Sequence, residues 1–85
     1  MVTPESIKRS IESGIVCDYV EVAGDGQHFQ ALIVSAAFEG MMKVRQHQLV
    51  YRALGDRMRE EVHALSMQTL TPAQWAELKD ARSPR

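Results

Sequence analysis

The chain has 85 residues, 45% of them hydrophobic and 25% charged, which is the balance of one small globular domain with a modest core. A single cysteine, Cys17, excludes an internal disulfide framework, and a net charge of −1 excludes a global field that would draw the chain onto nucleic acid. No apolar run approaches the roughly 18 residues of a membrane span and MVTPESIKRS has no secretory apolar stretch, so the expected location is cytoplasmic.

The pattern predicts one domain over residues 1–85, with an ordered core over about 3–79 and a tail at 80–85, DARSPR after Lys79. Thr3-Pro4 opens a first helix, Thr3 capping free amides and Pro4 taking the first helical position. Ile7 and Ile11 share one of its faces, and Gly14 is expected to stop it as a left-handed cap. Cys17 to Ala23 reads as a strand. Gly24-Asp25-Gly26 reads as a turn in which both glycines tolerate positive φ, and His28 to Ala36 as a central strand buried on both faces. The two should form an antiparallel hairpin, with Phe38 as the hydrophobic end of the second strand.

From about Met42 to Arg59 the pattern turns helical. Met42, Leu49, Val50, Ala53 and Leu54 fall on one arc of roughly 140°, which should face the sheet. Arg45, Gln48 and Arg52 stack on the far side as a short basic stripe, with Lys43 nearby. Gly55 should kink or split this helix. Val62 to Thr69 alternates as a third strand, with His63, Leu65 and Met67 on one face. Thr71-Pro72-Ala73-Gln74 is a capping box that opens a last helix anchored by Trp75 and Leu78. The order is α-β-β-α(α)-β-α: an α+β two-layer domain with helices covering one face of a three-stranded sheet. The third strand, reached through a long crossover, can run parallel to an earlier one.

Chemically, Cys17, His28, His47 and His63 are the soft or borderline metal ligands, and their spacing matches no zinc pattern. No nucleophile–base pair with an orienting third group is evident, so the chain does not read as an enzyme. His63 is either a half-exposed, hydrogen-bonded strand residue or a ligand held on rigid strand geometry. His28 sits beside a partner or simply starts its strand. The Lys43, Arg45, Gln48 and Arg52 group is either a solvated helix face or a patch for phosphates or an acidic partner.

F-E-G at 38–40, R-Q-H-Q-L-V-Y at 45–51, V-H-A-L at 62–65 and T-x-T-P-A-Q-W at 69–75 together resemble the BolA family. The short hairpin G-D-G-Q-H-F at 24–29 resembles its compact bacterial branch. The resemblance implies a class II KH-like fold, α-β-β-α-α-β-α with a three-stranded mixed sheet. The G-x-x-G loop by which KH domains clamp nucleic acid is missing, F-E-G-M standing at the corresponding turn. It implies an adaptor or regulator in iron–sulfur trafficking or the iron and stress response. The partner would be a monothiol glutaredoxin with a C-G-F-S site, which with glutathione shares a bridging 2Fe–2S cluster. The family's common ligand, the histidine of V-H-A-L, falls on His63. In many members the second ligand is a Cys or His in the hairpin loop; here the nearest candidate is His28. The cluster would not be required for folding, and the free chain would be a monomer or weak dimer. The alternative is a DNA-binding transcriptional regulator that uses the basic helix face; no membrane is implied.

Overall fold

In the computed structural model the order is α1 (Pro4–Gly14), β1 (Tyr19–Gly24), β2 (His28–Val34), a short 3₁₀ turn (Ala36–Phe38), α2 (Lys43–Glu61), β3 (Ala64–Leu70) and α3 (Pro72–Arg82). The structure describes residues 3–25, 27–61 and 64–82, and for 56–61, 64, 81 and 82 the backbone alone. Both predicted helix starts are present. Thr3 Oγ1 accepts from the Ser6 amide at 3.1 Å while Ser6 Oγ accepts from the Thr3 amide at 3.0 Å. Thr71 and Gln74 make the same reciprocal pair, at 2.9 and 3.2 Å, at the head of α3.

The sheet runs β1-β2-β3, β1 antiparallel to β2 and β2 parallel to β3, so the mixed sheet expected from the long crossover is formed. Ile7 and Ile11 of α1 and Val50 and Leu54 of α2 pack on Val20, Phe29, Ala31 and Ile33 of the inner sheet face, all buried. Gly55 interrupts α2 with φ 79° and ψ 167°, a region open essentially to glycine alone, and so divides the helix as its sequence predicts.

Several expectations are corrected. Met42 does not join the sheet-facing arc: it is 76% exposed, because it precedes the helix and its carbonyl caps α2 by accepting from the Arg45 and Gln46 amides. The residue buried in its place is Gln46. Phe38 is fully buried in the 3₁₀ turn rather than ending a strand, because Ser35 leaves the sheet and caps that turn through its Oγ, which accepts from the Ala37 amide at 3.1 Å. Gly14 has no positive φ and the cap residue Ile15 is extended. A Cβ on Gly14 would lie 2.7 Å from Ala53 Cβ, so glycine is there to let α1 approach α2. Gly24 likewise lacks positive φ: a Cβ there would meet Phe29 Cδ1 at 2.5 Å.

Helices do not cover one face only. Tyr19, Val34 and Leu70 are register partners on the face opposite Val20 and Ile33, and there Trp75 of α3 stacks on Tyr19, ring centroids 5.2 Å apart and 13° from parallel. Strand β2 is central, but both its faces are buried only toward Val34. At the other end His28 and Gln30 are exposed. The outer face is thus capped by α3 at one end and open at the other.

Candidate functional site

The open end of the outer face begins at the β1–β2 hairpin. The Asp25 amide donates to the His28 carbonyl at 3.2 Å, and Asp25 Oδ1 accepts from the Gln27 and His28 amides at 3.0 and 2.9 Å. These amide bonds stabilise the carboxylate and hold its pKa below the usual carboxylate range. The turn is therefore organised by the Asp25 side chain, a role that Asp followed by Gly-Gln-His could have signalled as an Asx turn, and Gly26 lies outside the described residues.

The fixed turn sets His28 at the first position of β2, its side chain 75% exposed and its Nδ1 4.0 Å from Asp25 Oδ2. The parallel register pairs His28 with Ala64, the residue that follows His63 in sequence. His63 itself, the principal predicted ligand, lies outside the described residues. From the hairpin end, Ala23, Gln30 and Ser66 and then Glu21, Leu32 and Gln68 line a shallow depression of about 290 Å³ across the outer face.

Cys17 stands just before β1, half-buried, its Sγ donating to the Ile15 carbonyl at 3.3 Å. Burial, with help from Glu12 and Asp18, pushes the thiol above its ordinary pKa. Raising the pKa suppresses the thiolate, the form that binds metal. Cys17 also lies at the opposite end of β1 from the hairpin. Among the described residues no group of three or more His, Cys, Asp or Glu side chains is placed to hold a metal ion.

The predicted basic surface is divided. Arg45, Gln48 and Arg52 are brought together with Met41 and Leu49 along a groove of about 110 Å³ on the outside of α2. Lys43 does not join them, because its Nζ donates to the Thr69 carbonyl, tying the head of α2 to β3. Sequence reasoning missed Gln46, whose amide nitrogen donates to the Phe38 and Met41 carbonyls at 3.2 and 2.9 Å and whose Oε1 accepts from Thr69 Oγ1 at 2.6 Å. A polar residue on a basic helix gives no sequence signal that it faces inward.

A family model described as BolA-like protein matches residues 2–74. The chain belongs to the BolA family. It is 41% identical over 75 residues to mouse BolA-like protein 1, covering 88% of this chain and 53% of that protein, so the chain spans about half the length of that curated relative. Acid stress protein IbaG of Escherichia coli is 43% identical over 58 residues, 67% of this chain and 69% of that protein. The DNA-binding transcriptional regulator BolA of Haemophilus influenzae is 38% identical over 52 residues, 61% of this chain and 50% of that protein. Among solved structures, a BolA homologue from Coxiella burnetii superposes with a TM-score of 0.79 at 43% identity, covering 89% of this chain and 99% of that one. The BolA domain of SufE1 from Arabidopsis thaliana gives 0.71 at 34% identity, covering 82% and 92%. The mixed three-stranded sheet and its helices are the BolA fold, and among the described residues no helix is long and apolar enough to cross a membrane.

Proposed function

We propose that this BolA-family chain is a non-enzymatic adaptor in iron–sulfur trafficking that shares a bridging 2Fe–2S cluster with a C-G-F-S monothiol glutaredoxin and its glutathione. The observation that carries the reading is the β2–β3 register, which sets the exposed His28 beside Ala64, one residue along the chain from His63. The donor set fits a shared cluster rather than an internal one. The only cysteine is half-buried with its thiol held protonated, so most thiolates must come from the partner.

In this reading His63 supplies one imidazole ligand and His28 is the candidate second. Replacing thiolate with neutral imidazole removes negative charge from the cluster and raises its potential. Imidazole must be unprotonated to bind metal, so acid releases the shared cluster. Mixing the chain with cluster-loaded monothiol glutaredoxin should change the visible absorption and circular dichroism. His63→Ala should abolish the change, and His28→Ala tests the second ligand. A spectrum that stays that of the glutaredoxin homodimer, or a His63→Ala variant indistinguishable from the parent, refutes the proposal.

A second reading, DNA binding, is favoured by the shared exposure of Arg45, Gln48 and Arg52 on α2 and by the name of the H. influenzae relative. Two arginines on two phosphates give a log–log salt slope of only about −1.8. Titration of a promoter-length duplex at two salt concentrations measures that slope, and salt-independent or absent binding removes this reading.

A further inference from the structure

The exposed side of α2 carries a pattern that neither cluster sharing nor the core explains. Met41 and Gln48 are seven residues apart, as are Val44 and Tyr51, and as are Arg45 and Arg52. Within α2, which begins at Lys43, Val44 and Tyr51 take the d positions of a heptad, Gln48 the a position between them and both arginines the e positions, with Met41 just ahead of the helix. Every one of these side chains is exposed: Met41 by 37%, Val44 by 66% and Tyr51 by 42%, and Arg45, Gln48 and Arg52 as well. The opposite arc of the helix, with Gln46, Val50 and Leu54, is committed to the core. Val44 and Tyr51, extended by Met41 at the head of the helix and flanked by two like charges, form an exposed apolar strip of the kind that a partner helix covers.

From this arrangement we propose that α2 docks an acidic amphipathic helix of a different protein, which lays an apolar stripe between Val44/Tyr51 and Met41/Leu49 and sets two carboxylates against Arg45 and Arg52. Seven residues of helix rise about 10.5 Å, so the two arginines match carboxylates seven residues apart on the partner. Among the side chains that the structure describes, which exclude Asp56, Glu60 and Glu61, no carboxylate forms an ion pair with either arginine. Charge decides the occupant. A second copy in antiparallel alignment would bring e against e, arginine against arginine, which disfavours that pairing, and a parallel copy would set the arginines against His47 and Leu54, which offer no carboxylate. Duplex DNA would leave the apolar stripe unused. Gln48 at an a position is a polar marker of the kind that fixes register in such pairs.

The surface is separate from the hairpin that carries His28, so the proposal stands or falls apart from cluster sharing. The test uses three fluorescein-labelled probes with the full chain: a two-heptad amphipathic peptide with Glu facing the e positions, the same peptide with Lys there, and a 20-base-pair duplex. Fluorescence anisotropy should show the Glu peptide binding at least tenfold more tightly than the Lys peptide. Arg45→Glu with Arg52→Glu should reverse that preference, and Val44→Ser with Tyr51→Ser should weaken the Glu peptide severalfold. All these substitutions are at exposed positions, and an unchanged thermal unfolding midpoint confirms that each variant folds. His63→Ala should leave peptide binding untouched. Equal binding of the two peptides overturns the proposal. So does a duplex that binds more tightly than the Glu peptide and loses affinity in the arginine variant, which assigns the face to nucleic acid. Concentration-dependent self-association abolished by Val44→Ser with Tyr51→Ser assigns it to a second copy and overturns the proposal equally.

Discussion

Gln46→Leu is the perturbation that tests the internal logic of the fold most sharply. Gln46 is 4% exposed and ties three segments together: the 3₁₀ turn through Phe38, the loop through Met41 and β3 through Thr69. Leucine approximates its volume, so the effect reports the polar bonds rather than a cavity. The Phe38 carbonyl keeps a partner, because it also accepts from the Met41 amide at 3.1 Å. The Met41 carbonyl and the Thr69 hydroxyl lose theirs, and Thr69 is only 1% exposed. Leaving two such groups unpaired costs about 1–3 kcal/mol each, and the half-buried Met41 carbonyl regains water, so the expected loss is about 2–3 kcal/mol. For a domain of this size that lowers the unfolding midpoint by about 10–20 °C. Thr69→Val alone should cost about 1–2 kcal/mol by stranding Gln46 Oε1. The double variant, with both ends of that bond removed, should cost about 1 kcal/mol less than the sum. Urea unfolding followed by circular dichroism measures all three. A Gln46→Leu loss under about 0.5 kcal/mol, or strict additivity in the cycle, refutes the argument.

Four further outcomes are expected. Gly55→Ala forces a Cβ into φ 79°, ψ 167° with no new contact in return, and should lower stability by about 1–3 kcal/mol in urea unfolding. Gly14→Ala should cost about 1–3 kcal/mol through the clash with Ala53, and Ala53→Gly in the same chain should recover most of it; an uncompensated double variant speaks against the close approach of α1 to α2. Trp75 is the sole tryptophan, so Tyr19→Ala should shift its emission to the red and destabilise the fold by about 0.5–1.5 kcal/mol beyond lost area. Because the folded Cys17 thiol is held above its ordinary pKa, it binds a proton more tightly than in the unfolded chain. Iodoacetamide labelling should therefore be slower in the folded than in the urea-unfolded protein at pH 8, and should accelerate only as pH rises past the usual thiol range.

Local chemistry was legible in the sequence. Thr3-Pro4, and Thr-Pro-Ala-Gln before Trp75, marked both helix starts, and the structure adds Ser6 as the reciprocal partner of Thr3. Alternation placed the hairpin and β3, and the lone Gly55 marked the break in α2. The order of elements followed from those signals, because each depends on neighbours within about one turn or one strand; the parallel third strand was expected from its long crossover, and the family from the motifs at 38–40, 45–51, 62–65 and 69–75. The ligand roles were read from motif resemblance and the basic stripe from helical periodicity: His28 is placed at the hairpin, and His63 lies outside the described residues. What only tertiary structure decided involves partners distant in sequence. Gln46 turns inward because Phe38, Met41 and Thr69 offer it three bonds, while Met42, apolar but ahead of the helix, is left in water. Gly14 and Gly24 are fixed by Ala53 and Phe29 and not by their own φ. Trp75 finds Tyr19 across the sheet and takes α3 to the outer face. Lys43 is drawn from the basic stripe to the Thr69 carbonyl. In each case a periodic pattern reports which side of an element is apolar, but only packing supplies the surface that decides where a polar group is satisfied or a close approach allowed.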